Sequence, residues 1–137
     1  MNKINDNEID ALFSSAESSS RKRAHLLLHK SHEDKVQRLL IAMVKGSFVE
    51  PHYHELSHQW ELFTVIKGKV VLVFYNSSGI VVDRIFISSD DVIPMIELKP
   101  GLIHSVECLS ERALMLEVKE GPFDEVHAKV FPSFDNN

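Results

Sequence analysis

Two histidines one residue apart, His52 and His54, stand in a stretch that also carries Glu61: GSFVEPHYHELSHQWELFTVIKG, from Gly46 to Gly68. Side chains on a β-strand alternate faces with period two, so H-x-H turns both imidazoles to one side. Two imidazoles beside a carboxylate from a neighbouring strand make a divalent-metal half-site, because imidazole nitrogen and carboxylate oxygen are donors such cations accept. A fourth ligand must arrive from elsewhere. The candidate is His104, which follows the Pro100-Gly101 reversal in KPGLIHSVECL. A lone histidine reads as an ordinary surface residue, but the pair, the carboxylate and the distant histidine together point to metal. Such a site leaves coordination positions open for water or substrate, and one Fe, Mn, Ni, Zn or Co ion per chain suits the donor set.

The elements that must position these residues are strands. Runs rich in Val, Ile, Leu and Phe fall at 26–29, 36–43, 48–54, 60–67, 69–75, 80–87, 92–98, 103–108 and 113–119. Lys45-Gly46, Lys67-Gly68, Asn76-Ser77-Ser78-Gly79 and Pro100-Gly101 mark the reversals between them. Short connections predict antiparallel pairing, hence an all-β sandwich or small antiparallel β-barrel. Before the strands, residues 5–19 read as a short N-terminal helix. Asn5 and Glu8 form a capping box, and Ile9, Leu12, Phe13 and Ala16 make one apolar face. So short a helix must dock, either on the barrel or on a partner subunit.

Strand alternation then tests the site. With His104 inward, Val106 and Cys108 also point in, while Ser105 and Glu107 point out. With Glu61 inward, Phe63 and Val65 join it, giving the apolar wall a water-excluding site needs. On the last strand Ala113, Met115, Glu117 and Lys119 share a face; if that face lines the cavity, Glu117 and Lys119 are polar groups inside it, and otherwise they are a surface ion pair. Arg38 is in phase with Val36 and Leu40, at the cavity or its rim. Glu117, Lys119 and Arg38 are therefore the candidate catalytic groups. His58, in the loop between His54 and Glu61, is a rival ligand, although a loop histidine is usually only solvated. His25, His29, His32 and His127 read as surface. Trp60 either stacks on a substrate ring or packs on the outer sheet face. Cys108 reads as a small buried hydrophobe, and Arg21-Lys22-Arg23 as a solvated linker.

At 137 residues with 44% hydrophobic content, the chain reads as one domain with its own core. It divides into a helical extension (1–20), a strand-rich domain (21–131) and a frayed tail (132–137). A formal net charge of −5 disfavours nucleic acid as a partner. No apolar run is long enough to cross a membrane, and the polar, acidic start is no signal peptide. A single cysteine excludes an internal disulfide and fits a reducing compartment, so a cytoplasmic location is expected. No Ser-His-Asp order, Walker loop, dinucleotide glycine pattern or CxxC is present.

The spacing G-x5-H-x-H-x6-E-x6-G resembles the first cupin motif, and P-G-x-x-H resembles the core of the second. Three features depart from the pattern. The gap between His54 and Glu61 is longer than usual, Lys99 stands where the second motif usually has its proline, and Cys108 stands where an asparagine usually follows the histidine. Within the cupins the chain is similar to the WbuC-type family of cupin metalloproteins. The resemblance rests on RKRAHLLLH, VQRLL, EPHYH, WELF and EVKEGPF, spread in order over residues 21–131. It implies a cupin β-barrel or jelly roll and a role in surface-polysaccharide (O-antigen) biosynthesis. The implied activity is that of an isomerase, epimerase or lyase on a sugar or sugar-nucleotide intermediate, with Glu117 or Lys119 handling protons. An Fe(II)-dependent dioxygenase and a non-catalytic, metal-anchored sugar- or metabolite-binding module are the alternatives. A homodimer is expected, covering an open sheet edge and an apolar outer face at Leu62, Thr64 and Ile66.

Overall fold

The computed structural model describes residues 1–90 and 92–134. Among the described residues one helix precedes nine strands: α1 (Asp6–Ser18), β1 (Arg23–Leu27), β2 (Val36–Val44), β3 (Phe48–His52), β4 (Glu61–Lys67), β5 (Lys69–Tyr75), β6 (Val81–Ser88), β7 (Met95–Leu98), β8 (Ile103–Cys108) and β9 (Arg112–Glu120). The strands form two antiparallel sheets, a five-stranded β1-β2-β9-β4-β7 and a four-stranded β3-β8-β5-β6. The all-β class, the antiparallel pairing and the short helix agree with the sequence. The two ladders stay open and do not close into one continuous barrel.

The capping box is present: the Glu8 N–H donates to Asn5 Oδ1 at 3.0 Å, and the Asn5 N–H to Glu8 Oε2 at 2.9 Å. Leu12, Phe13 and Ala16 are buried against Leu40, Ala42 and Leu114, so α1 covers the outer face of the larger sheet. Each large apolar side chain buried this way is worth about 1.5–3 kcal/mol, which a short helix needs because it has little stability of its own. The main core lies on the opposite side of that sheet, between the two sheets. Leu39, Ile41, Met43, Phe63, Val65 and Met115 meet Val70, Leu72, Val106 and Cys108 there. Cys108 is the buried hydrophobe expected, its thiol turned toward the Ser110 carbonyl.

Alternation works as argued on β4 and β9, where Glu61, Phe63 and Val65, and Ala113, Met115 and Glu117, are inward. On β8, Ser105 lies on the other face but is also buried, where its hydroxyl bonds the Tyr75 hydroxyl at 3.0 Å. The chain changes sheets between β4 and β5 at Gly68. Its φ is +75°, and a Cβ there would stand 2.1 Å from the Arg112 carbonyl oxygen, so only glycine fits. After β9 the chain turns back over one end of the sandwich. Tyr53 and Val130 exchange backbone hydrogen bonds at 3.0 and 2.9 Å, and Phe134 packs near Tyr75. The last part of the expected frayed tail, 135–137, lies outside the described residues.

Candidate metal centre

β3 and β8 run antiparallel with His52 opposite His104, so the end of one strand meets the start of the other. Glu61 opens β4 in the facing sheet. All three positions therefore fall at the same end of the sandwich. The register of β3 shifts between Val49 and His52. A bulge at Glu50-Pro51 fits there, since proline has no N–H to give the ladder. It lets Val49 and His52 both face the cavity although three positions apart. His54 follows two residues later on the same side, beyond the strand's end.

His52, His54, Glu61 and His104 bring one ligand atom each to within 4.8 Å of one another. His52, Glu61 and His104 are 4%, 4% and 2% exposed, and the His54 side chain is 11% exposed. Each imidazole is aimed by its Nδ1. His52 Nδ1 meets the Glu50 carbonyl at 2.9 Å, His54 Nδ1 the Ala128 carbonyl at 2.7 Å, and His104 Nδ1 the Leu102 carbonyl at 2.9 Å. A carbonyl only accepts, so each Nδ1 carries the proton and each Nε2 presents a lone pair. His54 Nε2, Glu61 Oε2 and His104 Nε2 are buried without a hydrogen-bond partner. His54 Nε2 does lie against Glu61 Oε1, but without hydrogen-bond geometry. Buried polar atoms left unpaired cost about 1–3 kcal/mol each, and a cation among them satisfies all of them together. The donor set, the carbonyl-held tautomers and the orphaned atoms all fit a divalent transition metal.

Charge is arranged around this centre. Burial, and then His104, push His52 down to about 4. Burial works against protonation of His54 too, but Glu61 outweighs it and raises that imidazole. Burial also resists the charge on Glu61, yet the adjacent His104 and His54 hold its carboxyl well below the usual range. Glu117 is 7% exposed, and burial followed by repulsion from Glu61 lifts it to about 6. Lys119 Nζ stands 4.0 Å from the Glu117 carboxylate.

These groups open on a cavity of about 540 Å³ between the sheets. Glu117 and Lys119 line it, on the β9 face the sequence offered as one of two choices. Arg38 does not. The inner face of β2 is Gln37, Leu39, Ile41 and Met43, while Arg38 is exposed in phase with Leu40 on the face turned to α1. This corrects its assignment to the cavity or rim. His58 stays outside the cluster, in a small side pocket with Trp60 and Gln59; the Trp60 indole N–H there donates to Glu120 at 3.2 Å. Of the histidines read as surface, His29 proves otherwise, while His25 and His32 are exposed as expected, at the mouth of the cavity. His25, His29 and His32 line the cavity, with His29 buried and its Nδ1 held 3.0 Å from the Arg38 N–H. His127 is at the surface, paired with Asp124 at 2.7 Å. Arg21 and Arg23, read as linker, also line the cavity, as does Lys129. The signal for β1 was available: Arg23, His25 and Leu27 alternate with Ala24 and Leu26, which pack under α1.

Two facing antiparallel sheets with an imidazole–carboxylate cluster at one end define a cupin fold, and solved structures agree. CapF from Staphylococcus aureus, a capsular polysaccharide assembling protein, superposes with a TM-score of 0.68 at 21% identity, over 83% of this chain and 32% of that one. A cupin superfamily protein from Desulfitobacterium hafniense gives 0.55 at 19% identity, over 72% and 76%. Oxalate decarboxylase from Bacillus subtilis gives 0.57 at 20% identity, over 77% and 26%. These likenesses concern the fold, and the chain spans about a third of the length of CapF. No curated protein matches the sequence. The chain belongs to the family described as Domain of unknown function (DUF6016), whose model matches residues 4–87. Among the described residues, no helix is long and apolar enough to cross a membrane.

Proposed function

We propose that the chain binds one divalent transition metal through His52, His54, Glu61 and His104. We propose further that it acts on a sugar or sugar-nucleotide intermediate of surface-polysaccharide biosynthesis, as an isomerase, epimerase or lyase. The observation that carries the metal is the convergence of orphaned buried donor atoms on one point. The polysaccharide context is supported by the WbuC-type resemblance and by the fold shared with CapF. When bound, such a metal polarises a carbonyl or hydroxyl oxygen. The chain's own groups do the rest. Phe63, Val106 and Met43 keep water from the inner wall of the cavity. The Glu117 carboxyl, buried on that wall, holds or accepts a proton beside the ligand, and the Lys119 ammonium steadies its charged form. The single buried thiol fits a reducing, cytoplasmic setting.

Metal analysis of protein purified without a histidine tag, followed by turnover assays with nucleotide sugars, tests this reading. About one metal per chain and turnover lost in Glu117→Gln, with metal retained, is the expected result. Ligand-induced stabilisation without turnover would make the chain a binding module instead. Oxygen consumption dependent on Fe(II) would make it a dioxygenase.

We also propose a homodimer. Leu62, Thr64 and Ile66 on β4 share an outer face with Met95 of β7, paired opposite Thr64; Ile66 is 44% and Met95 50% exposed. Covering such a patch by C2 pairing is the commonest solution. Light scattering at micromolar concentration is expected to give twice the chain mass, and a monomer mass refutes the pairing.

A further inference from the structure

The open side of the same cavity is lined by Arg21, Arg23, His25 and Lys129, in a chain whose formal net charge is −5. Among the described residues, Arg21, Arg23 and Lys129 form no ion pair with any carboxylate. Glu50 is felt at Arg23, but not at ion-pair distance. The cations instead feel one another. Burial and then Arg21 lower Arg23. Burial followed by Arg23 and Arg21 lowers Lys129. Burial, then Arg21, Arg23 and Lys129, drive His25 to about 4. Glu117 and Glu61 also act on Lys129, though less than the two arginines do. Like charges gathered at one rim of a cavity, with no carboxylate paired to them, are an unfavourable arrangement until an anion joins them.

The segment carrying the two arginines, and the Arg23 guanidinium, are held in place. The buried Ser47 hydroxyl donates to the Arg21 carbonyl at 3.1 Å, and the Val44 N–H to the Lys22 carbonyl at 3.1 Å. Between the two arginines Lys22 takes the left-handed φ of 55°, a conformation that persists in a non-glycine only where the surroundings impose it. Arg23 Nη1 donates to the Arg21 and Phe48 carbonyls at 3.3 and 3.4 Å. Those bonds fix the guanidinium through one nitrogen and leave its other donors for a ligand.

From this arrangement we infer that the open side of the cavity is an anion subsite for a phosphoryl group of the small-molecule ligand, with Arg21, Arg23 and Lys129 as donors. Charge decides for phosphate over carboxylate. Two guanidinium groups and an ammonium need more than the single negative charge a carboxylate returns, and a phosphate or diphosphate supplies it with more acceptor oxygens. The wall between this rim and the metal ligands carries Leu39, Ile41 and Val49, which suits an uncharged middle section. The inference deepens the proposed function by naming the charged group of its substrate, but it stands on residues outside the metal cluster.

Isothermal titration of the 137-residue chain with inorganic phosphate and with pyrophosphate, before and after chelation, tests it. Pyrophosphate is expected to bind more tightly than phosphate, to bind the chelated chain as well, and to weaken as salt rises. Arg23→Ala and Lys129→Ala are each expected to weaken pyrophosphate about tenfold or more, because each removes a charge-assisted bond. Arg23→Lys should fall between, and metal per chain should not change. A chelated wild-type chain that binds neither anion, or one that binds acetate as tightly as pyrophosphate, overturns the inference. So does Lys129→Ala binding pyrophosphate as the wild type does, and that exposed position decides the matter if Arg23→Ala fails to fold. A chain that takes up no added divalent metal at all, yet shows Lys129-dependent pyrophosphate binding, sinks the metal reading and leaves this one standing.

Discussion

The His104→Ala chain is expected to carry almost no metal, while His58→Ala keeps about one ion per chain. Geometry separates the two. His104 is 2% exposed, paired across the ladder with His52, and fixed in ring orientation by the Leu102 carbonyl. Its Nε2 lone pair has no other partner. His58 sits in the loop before β4, in a side pocket rather than in the cluster, and holding a loop side chain in one rotamer costs entropy that a strand has already paid. Outer-sphere partners of metal ligands are typically worth about 10–100-fold in affinity, so losing a ligand itself costs at least that much. Bound metal per chain, measured by elemental analysis on each single variant, decides the matter. A melting curve of each variant after chelation guards against confusing a lost ligand with a lost fold. An empty His58→Ala chain beside a filled His104→Ala chain would reverse the assignment.

The ligand residues were legible because strand alternation and metal chemistry impose the same spacing. H-x-H gives one side of a strand, and Glu61 with Phe63 and Val65 gives the inner face of the next. β5 and β8 match the expected limits because turn residues bound them tightly. The sequence was silent where that coupling fails. β2 reads Leu-Leu-Ile-Ala-Met-Val because α1 covers one face and the core covers the other. With both faces apolar the period of two disappears, and Arg38 was given the wrong side. The bulge at Glu50-Pro51 turns Val49 and His52 to the same side, against simple alternation. The chain after β9 does not announce itself, and of β1 only the end fell within an expected run, 26–29. Arg21-Lys22-Arg23 looks like a linker because its charges are explained only by what they face across the cavity. Residues 128–130 touch the site through a single isolated bridge and one imidazole-to-carbonyl bond, which no periodicity betrays.

Removing the metal is expected to lower the melting temperature by roughly 10 °C or more. The ligands come from both sheets: His52 and His104 from the smaller, Glu61 from the larger, with His54 just past the end of β3. The ion is thus a cross-link between sheets whose ladders do not join. A ligand present at about a thousand times its Kd adds about 4 kcal/mol to the folded state. For a chain of this size each kcal/mol moves the midpoint by a few degrees. Chelation also leaves Glu61 and the imidazoles with buried, unpaired atoms, so the empty site is itself a liability. The sign of the pH dependence follows from the imidazoles, which must be neutral to bind. His52, pushed down to about 4, remains available well into mild acid. His54 is raised, so the proton competes there first. The difference between metal-loaded and chelated melting temperatures should therefore shrink as pH falls below neutrality. Coincident melting curves with and without chelator, where elemental analysis confirms that metal has left, would show that the cluster does not hold the sheets together.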